Sequence, residues 1–294
     1  MPWLQLTLST TQDHAESIGD ALMEIGALSV TLMDAKDTPV LEPAPGETPL
    51  WGDIKMMLLF DANSNTKQVL NQWQAHSLSQ HTQNEKFELL EDKDWEREWM
   101  DRFEPMKFGE RLWVCPSWKP IPDKLAVNVI LDPGLAFGTG THPTTALCLS
   151  WLDSIDLKDK TLIDYGCGSG ILAIAALKLG AKKAFAVDID PQALLATQEN
   201  ARRNEVCENA LFIGYPEDIS DIKTDIIVAN ILAGPLVELS SNISKYCKQD
   251  GLIALSGVLD NQSNATREAY LKWFKMELPV FKEEWSLLTG LKSK

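Results

Sequence analysis

The sequence predicts an α/β protein: a doubly wound, Rossmann-like sheet preceded by a small N-terminal α+β domain of ferredoxin-like type. The chain has 294 residues, which at roughly 150 residues per domain is enough for two domains. The hydrophobic pattern of residues 1–91 follows the order β-α-β-β-α-β, which is the split βαβ arrangement. From about residue 160 onward, strand and helix patterns alternate, and this alternation indicates a parallel sheet.

The elements of the N-terminal half follow from the spacing of apolar residues. Alternation in "WLQLTLS" (3–9) predicts the first strand. Apolar residues three and four positions apart predict a helix over 11–26, and Gly26 ends it. The other predicted elements are strands over 27–34, 54–60 and 86–91, a Pro/Gly-rich loop over 37–53 and a helix over 65–78.

A charged segment separates this half from the rest of the chain. Trp95, Trp99 and Phe103 are spaced four apart, so they form one stripe that we expect to pack on a domain, with a substrate-facing aromatic patch as the alternative. The predicted organisation is a recognition domain over 1–91, a linker helix over 92–105 and a second domain over 106–294. In the second domain, "EPMKFGERLWVCPSW" predicts a hairpin. Strands are expected at 127–132, 160–165, 183–188, 210–214, 225–229 and 251–256, with a last helix over 261–274.

Composition excludes several classes of protein. The net charge is −15 and no run of Lys or Arg occurs, so direct binding to nucleic acid is not expected. The five cysteines and four histidines lie at no metal-binding spacing, so no metal site is predicted. Neither a signal peptide nor a membrane span is recognisable. We expect a cytoplasmic monomer.

The stretch "LIDYGCGSG" (162–170) predicts a ligand-binding turn between a strand and a helix. Gly166, Gly168 and Gly170 let the backbone approach a ligand, and the helix that follows offers free N–H groups. The spacing is G-x-G-x-G, whereas the dinucleotide fingerprint is G-x-G-x-x-G. No phosphate-loop lysine follows. The alternative is a glycine-rich turn that binds nothing.

A carboxylate at the end of the next strand favours a ligand. Asp188 ends "AFAVD", 22 residues after Gly166, where a carboxylate can accept hydrogen bonds from both ribose hydroxyls. Asp190 precedes a proline and is predicted to cap the next helix. "DYGCGSG" followed by "VDIDP" closely resembles the class I methyltransferases, which use S-adenosylmethionine. The resemblance implies that Asp164 and Gly166 face the methionine part of that cofactor and that Asp188 binds its ribose.

A polar residue at the end of a later strand completes the predicted site. The strand order of a doubly wound sheet is expected to reverse between the strands at 160–165 and 225–229, so Asn230 is expected beside the glycine loop. Its amide can accept a hydrogen bond from a substrate amine or contact the cofactor, and the alternative is a turn-forming asparagine. The chain has N-I-L-A where many methyltransferases of planar amides have N-P-P-Y, which leaves aliphatic amines as substrates.

The stretch "LDPGLAFGTGTHPTT" (131–145) is too rich in glycine for a plain connector. We interpret it as a loop that covers the cofactor, with an ordinary linker as the alternative. His142 is considered as a general base, although a residue in a turn that starts a helix is more often structural.

These four motifs together resemble the bacterial methyltransferases of ribosomal protein L-eleven, and the resemblance runs through the whole chain. It implies a cytosolic enzyme that trimethylates lysine ε-amines and the N-terminal α-amine of that protein. It also implies an N-terminal domain that binds the substrate protein. The family's cofactor contacts carry over to Thr145, Gly166, Asp188 and Asn230.

Three alternatives remain open from the residues alone. The first is a methyltransferase of small amines. The second is a nicotinamide-dependent dehydrogenase, which would bind NADH at the glycine loop. The third is a non-catalytic module that binds a ribosomal protein or RNA, although the acidic charge opposes RNA.

Overall fold

The structure, a computed structural model, describes residues 3–36, 52–90, 103–132 and 142–293. The chain divides into two compact units, residues 1–102 and 103–294. Each has its own hydrophobic core.

The first unit has the ferredoxin-like topology that the sequence predicts. Its four strands form an antiparallel sheet in the order β2-β3-β1-β4. Buried and partly exposed residues alternate along β1, so one face of the sheet packs on the helices. The elements are β1 (Trp3–Thr11), α1 (Gln12–Glu24), β2 (Ser29–Asp34), β3 (Asp53–Asp61), α2 (Thr66–Ala75) and β4 (Gln83–Leu90).

Local sequence explains where helix α2 begins and how it packs. Asn65 caps its first turn, since the side-chain oxygen accepts hydrogen bonds from the backbone of Lys67 and Gln68. Trp73 is 1% exposed, and its indole N–H donates to the hydroxyl of Thr82 at 3.2 Å. This large buried side chain therefore also has its polar atom satisfied.

The second unit begins with three short strands, β5 (Met106–Phe108), β6 (Leu112–Cys115) and β7 (Val127–Ile130). Strands β5 and β6 form the predicted hairpin, and β7 pairs parallel to β6. Residues 103–105 are not helical, and the rest of the predicted linker helix lies outside the described residues.

The remaining elements alternate strand and helix as predicted, except that the last helix ends at Tyr270 and Phe274, its predicted last residue, begins a strand. They are α3 (Pro143–Ser154), β8 (Thr161–Tyr165), α4 (Ile171–Lys178), β9 (Lys183–Val187), α5 (Pro191–Arg203), β10 (Leu211–Gly214), β11 (Thr224–Asn230), α6 (Ala233–Glu238), α7 (Ser240–Lys245), β12 (Cys247–Leu259), α8 (Asp260–Tyr270), β13 (Phe274–Met276), β14 (Val280–Lys282) and β15 (Trp285–Lys292).

The main sheet is doubly wound, as predicted. Its order is β10-β9-β8-β11-β12-β15-β13, and β14 pairs with β15. The pairs from β10 to β12 are parallel, whereas β15 runs antiparallel to its neighbours. Chain order reverses between β8 and β11, so a crevice is expected there at the carboxyl ends of these strands.

Side chains of the central strands alternate between two cores. Ile226 and Val228 of β11 lie in the core that contains α3 and α4. Ile227 and Ala229 lie in the core that contains α6 and α8. Burial on both faces explains the nearly continuous apolar sequence of this strand. In the described part of the chain, no helix is long and apolar enough to span a membrane.

A charged cluster at the amino ends of β8 and β11 predicts acid sensitivity. Asp225 accepts hydrogen bonds from the backbone and hydroxyl of Thr161 and from Lys248. Burial alone would raise the pKa of Asp225, but these bonds outweigh burial and lower it to about 2. The cluster therefore stabilises the fold above about pH 4, and this stabilisation is lost as pH falls toward 2.

We expect Asp225→Asn to cost about 1–2 kcal/mol at neutral pH, a figure reduced for partial exposure. Below about pH 3 the cost should shrink. Urea unfolding at pH 7 and pH 3 measures this. Asp221→Asn, at an exposed position near the start of β11, is the matched control. An equal cost for both variants at pH 7 contradicts the prediction.

Candidate active site

The glycine loop lies at the carboxyl end of β8 and at the start of α4. Gly166, Gly168 and Gly170 all have positive φ, at 75°, 53° and 75°. The backbone N–H groups of Gly166 and Cys167 donate to the carbonyl of Val187, at 2.8 and 3.0 Å. The loop therefore keeps a left-handed path that other residues seldom adopt.

Close neighbours explain why two of these positions need glycine. A Cβ on Gly166 would lie 2.2 Å from Cγ2 of Ile231, and one on Gly170 would lie 2.6 Å from Cγ2 of Thr197. Such distances are far shorter than ordinary van der Waals contact. The loop packs tightly on the segment after β11 and on α5, so its shape is set by both.

Asp188 follows β9 directly and is fixed beside the glycine loop. Its Oδ2 accepts a hydrogen bond from the backbone of Gly168 at 2.9 Å, and Oδ1 accepts one from Asp190 at 3.0 Å. Each carboxylate oxygen has a second lone pair, so the group can also accept ribose hydroxyls. Asp190 accepts from the backbone of Gln192, which confirms it as the cap of α5.

Ile189, between these two aspartates, was not singled out from the sequence. Its side chain is 83% exposed, although it stands in the middle of "VDIDP". An exposed apolar side chain beside the carboxylate that is predicted to bind the ribose is suited to pack on a planar base. The sequence does contain a signal for this residue, because an isoleucine between two turn-forming aspartates is expected to be exposed.

Asp164 is buried at the end of β8. It is 1% exposed, and its Oδ2 accepts a hydrogen bond from the backbone of Ala173 in the first turn of α4, at 3.0 Å. Burial raises the pKa of this carboxyl to about 8. Its other oxygen, Oδ1, has no hydrogen-bond partner among the described residues.

Asn230 and Thr145 meet at the carboxyl end of β11. Asn230 is the last residue of β11, which pairs with β8. Because Ala229 pairs with Tyr165, the next residues, Asn230 and Gly166, lie side by side. Its Nδ2 donates to Oγ1 of Thr145 at 3.3 Å. Thr145, on the first turn of α3, is 2% exposed. All six predicted site residues therefore lie on elements that converge at this edge of the sheet, while their contacts to a ligand stay predictions.

His142 starts α3 as its cap, as its structural interpretation predicts. Nδ1 lies 2.7 Å from Oγ1 of Thr144 and accepts from the backbone of the same residue at 3.4 Å. Burial lowers the pKa of His142, although Glu283 and Glu284 oppose this shift. The predicted covering loop upstream falls largely on residues 133–141, which lie outside the described residues.

Three further residues of the site were missed by sequence reasoning. Thr197 donates to the carbonyl of Gly168 at 3.0 Å, and Asn200 donates to that of Ser169 at 2.9 Å. Ile231 fills the space that a side chain at position 166 would need. No short motif marks them, because their partners are distant in sequence.

The chain is similar to known proteins over its whole length. The family model described as Ribosomal protein L11 methyltransferase (PrmA) matches residues 2–293. The chain belongs to this family. It is 58% identical, over all 294 residues of both chains, to the ribosomal protein L11 methyltransferase of Klebsiella pneumoniae strain 342. The same identity and coverage relate it to that of Escherichia coli O8.

A solved structure of a relative has a similar fold. The ribosomal protein L11 methylase of Lactobacillus delbrueckii subsp. bulgaricus is 34% identical and superposes with a TM-score of 0.60. The match covers 65% of this chain and 100% of that one. The chain is thus an S-adenosylmethionine-dependent methyltransferase with a Rossmann-like catalytic domain, as its motifs predict.

The residues at this edge of the sheet fit this cofactor. The adenosine of S-adenosylmethionine carries no phosphate, and the loop lacks phosphate-binding lysine. Asp188 offers paired acceptors for the ribose, and Asp164 has an oxygen without a hydrogen-bond partner among the described residues. In the same ranges, no group of three or more His, Cys, Asp or Glu is arranged to hold a metal ion.

The raised pKa of Asp164 predicts how stability depends on pH. The ordinary pKa of an aspartate is 3.8, whereas that of buried Asp164 is about 8. Between these two pH values the unfolded chain releases the proton and the folded chain keeps it, so the folded state loses stability as pH rises. Asp164→Asn keeps an acceptor for the backbone of Ala173 but cannot ionise. We expect the cofactor-free variant to lose less stability than the wild type between pH 5 and pH 8. Melting temperatures that fall equally in both proteins between pH 5 and pH 8 would contradict this.

Proposed function

We propose that this chain transfers methyl groups from S-adenosylmethionine to amino groups of ribosomal protein L11. The observation that carries the proposal is the match of the family over residues 2–293. The crevice supports it, because Asn230 stands beside the glycine loop at the point where strand order reverses. The relatives in Klebsiella and Escherichia are named for the same substrate.

The chemistry needs an amine with a free lone pair at the crevice. The cofactor supplies a methyl group on a positively charged sulfur, which is transferred by in-line displacement. A lysine ammonium has a pKa of about 10.4 in water and must lose a proton first. Removal from water lowers the pKa of an amine, so a crevice that excludes solvent assists this step.

Asn230 is our candidate for holding the amine. Its Nδ2 is directed to Thr145, which fixes the amide so that Oδ1 can accept an N–H of the substrate. Because alignment alone can contribute roughly 7–11 kcal/mol in ideal cases, we assign the main role to positioning rather than to a protein base. The contact of His142 with Thr144 favours a structural role for that imidazole.

Trimethylation is the finer form of this proposal. A pocket that binds amines by one amide acceptor leaves room for the nitrogen to rotate and accept further methyl groups. We therefore propose trimethylation of lysine ε-amines and of the N-terminal α-amine. A neutral carboxamide such as Asn230 suits successive products better than a carboxylate, which would bind the quaternary ammonium product strongly.

The N-terminal domain is our candidate for binding the substrate protein, over residues 1–91 and joined by a linker over 92–105. Residues 1–102 contain 18 of the 42 acidic side chains but only 7 of the 27 basic ones. This excess of negative charge attracts a lysine-bearing partner through electrostatic steering, which weakens as salt rises. We further propose a cytoplasmic monomer that binds no nucleic acid directly, as the net charge of −15 supports.

Transfer of labelled methyl to purified ribosomal protein L11, followed by mapping of the modified residues, tests the proposal. Mass gains in steps of three methyl groups on amino nitrogens are expected. Free lysine as acceptor is the control for a methyltransferase of small amines. Faster transfer to lysine than to the protein would favour that alternative, and binding of NADH in place of S-adenosylmethionine would favour a dehydrogenase.

Asn230→Ala tests the role of the amide. We expect kcat for transfer to ribosomal protein L11 to fall about 100-fold, the loss that misplacement of a reactant by about 1 Å can cause. The matched control is Asn264→Ala, at an exposed position on α8. Steady-state rates at saturating cofactor measure the effect. A wild-type rate for Asn230→Ala excludes the proposed role.

A further inference from the structure

A stripe of buried polar side chains runs along one side of α5 and ends at Asn204, the residue that follows the helix. Thr197, Asn200 and Asn204 are spaced three and four apart, and they are 0%, 7% and 6% exposed. Residues at this spacing share one helix face. Buried polar side chains cost free energy unless they are hydrogen-bonded, so their partners show what the stripe does.

The first two members bind the glycine loop. Thr197 donates its hydroxyl proton to the carbonyl of Gly168 at 3.0 Å, and Asn200 donates to the carbonyl of Ser169 at 2.9 Å. Ser169 is itself 4% exposed, so its carbonyl has little access to water. The left-handed path of the loop turns these carbonyls toward α5.

Gly168 also contacts Asp188 on the other side of the loop. The backbone N–H of Gly168 donates to Asp188, whereas its carbonyl accepts from Thr197. One peptide segment is thus held from two sides, and the orientation of the ribose-binding carboxylate depends on that segment. Losing Thr197 as a partner would free Gly168 to rotate away from Asp188.

The third member fixes the other end of the helix. Asn204 and Ile130 of β7 exchange two hydrogen bonds, each 2.7 Å long, between the side-chain amide and the backbone. Arg203 forms an ion pair with Asp132 at 3.0 Å beside them. The end of helix α5 is therefore fixed to β7, so the helix cannot shift easily with the loop.

We propose that the polar stripe of α5 holds the glycine loop in the shape that binds S-adenosylmethionine, with Thr197 and Asn200 as positioning residues. The inference rests on the cofactor lying at this loop. Neither side chain touches the reacting atoms. Both act through the two loop carbonyls, whose partners set the direction of the Gly168 N–H toward Asp188.

The test compares Thr197→Val, which keeps the shape and removes the donor, with Thr197→Ser, which keeps the hydroxyl. Thr266→Val is the matched control, because Thr266 is 1% exposed on α8 and donates to the carbonyl of Gln262. Calorimetric titration gives the Kd of S-adenosylmethionine for each full-length protein. Steady-state kinetics give separate KM values for the cofactor and for the ribosomal protein.

We expect Thr197→Val to weaken cofactor binding roughly tenfold, since a buried acceptor loses its partner. Its KM for the ribosomal protein should stay unchanged. Thr197→Ser and Thr266→Val should remain within about twofold of the wild type, because the loop keeps its hydrogen bond in both. If Thr197→Val does not fold, Asn200→Ala takes its place with the same expectation.

Two results overturn the inference while leaving the methyltransferase assignment intact. One is a cofactor Kd for Thr197→Val that equals that of the wild type. The other is equal weakening by Thr197→Val and Thr197→Ser, because serine keeps the hydroxyl and the lost hydrogen bond would then not explain the effect. A wild-type protein that fails to bind S-adenosylmethionine would overturn both this inference and the assignment.

Discussion

Asp188→Asn is expected to weaken binding of S-adenosylmethionine by about 100-fold or more, because hydrogen bonds to a charged acceptor contribute roughly 1.5–3 kcal/mol each. The carboxylate now accepts from the backbone of Gly168 and of Asp190 and keeps lone pairs for both ribose hydroxyls. An amide has only one oxygen, and its NH2 group would face one of these donors. Calorimetric titration with the cofactor measures the loss.

The matched control for this variant lies two residues away. Asp190→Asn changes the net charge by the same amount, and asparagine caps a helix about as well as aspartate. Since Asp190 caps α5 through the backbone of Gln192, we expect the control to bind the cofactor normally. Equal affinities of the two variants would contradict the assignment of Asp188 to the ribose.

Gly166→Ala is expected to abolish cofactor binding. The added Cβ would lie 2.2 Å from Ile231 at a φ of 75°. A left-handed alanine costs about 1–2 kcal/mol, and relief of the clash requires movement of either the loop or the segment after Asn230. The loop and the end of β11 both contain residues that are predicted to contact the cofactor, so either movement would disturb the cofactor site. Binding and thermal unfolding should be measured on the same samples.

Gly180→Ala separates backbone strain from the clash. Gly180 also has a positive φ, at 115°, but an added Cβ would meet only the Cα of Lys158, at an ordinary 3.9 Å. It follows α4 at the opposite end of that helix from the glycine loop. We expect this variant to lose stability yet bind the cofactor. Loss of binding in both variants would show that stability alone explains the effect.

Much of the site was predictable because it lies where a parallel sheet places its strand ends. The proximity of Asn230 to the glycine loop followed from strand order, and the β8–β11 pairing confirms it. The cap at Asp190 followed from the proline after it. Such features depend on short segments and on one topological rule, so a single sequence suffices to find them.

Other parts of the site depend on contacts that a single sequence does not show. The segment "ATQENARRN" that includes Thr197 and Asn200 has the polar composition of an exposed helix. Only the packed structure shows that these side chains face inward and bind loop carbonyls. Ile231, just after β11, likewise lies against Gly257 of β12, because a Cβ added to Gly257 would lie 2.3 Å from the backbone oxygen of Ile231. The partner of Thr145 was also unforeseen, since Asn230 lies 85 residues away.

The most direct test of the central claim is a crystal structure of this protein with S-adenosylhomocysteine, the demethylated product of the cofactor. The account predicts both ribose hydroxyls within hydrogen-bond distance of the Asp188 carboxylate. It also predicts the amino acid part of the ligand against the loop of Gly166, on the side of Asp164. Asn230 and Thr145 should border the position of the lost methyl group. A ligand bound away from the carboxyl ends of β8 and β11, or one whose ribose does not contact Asp188, would contradict it.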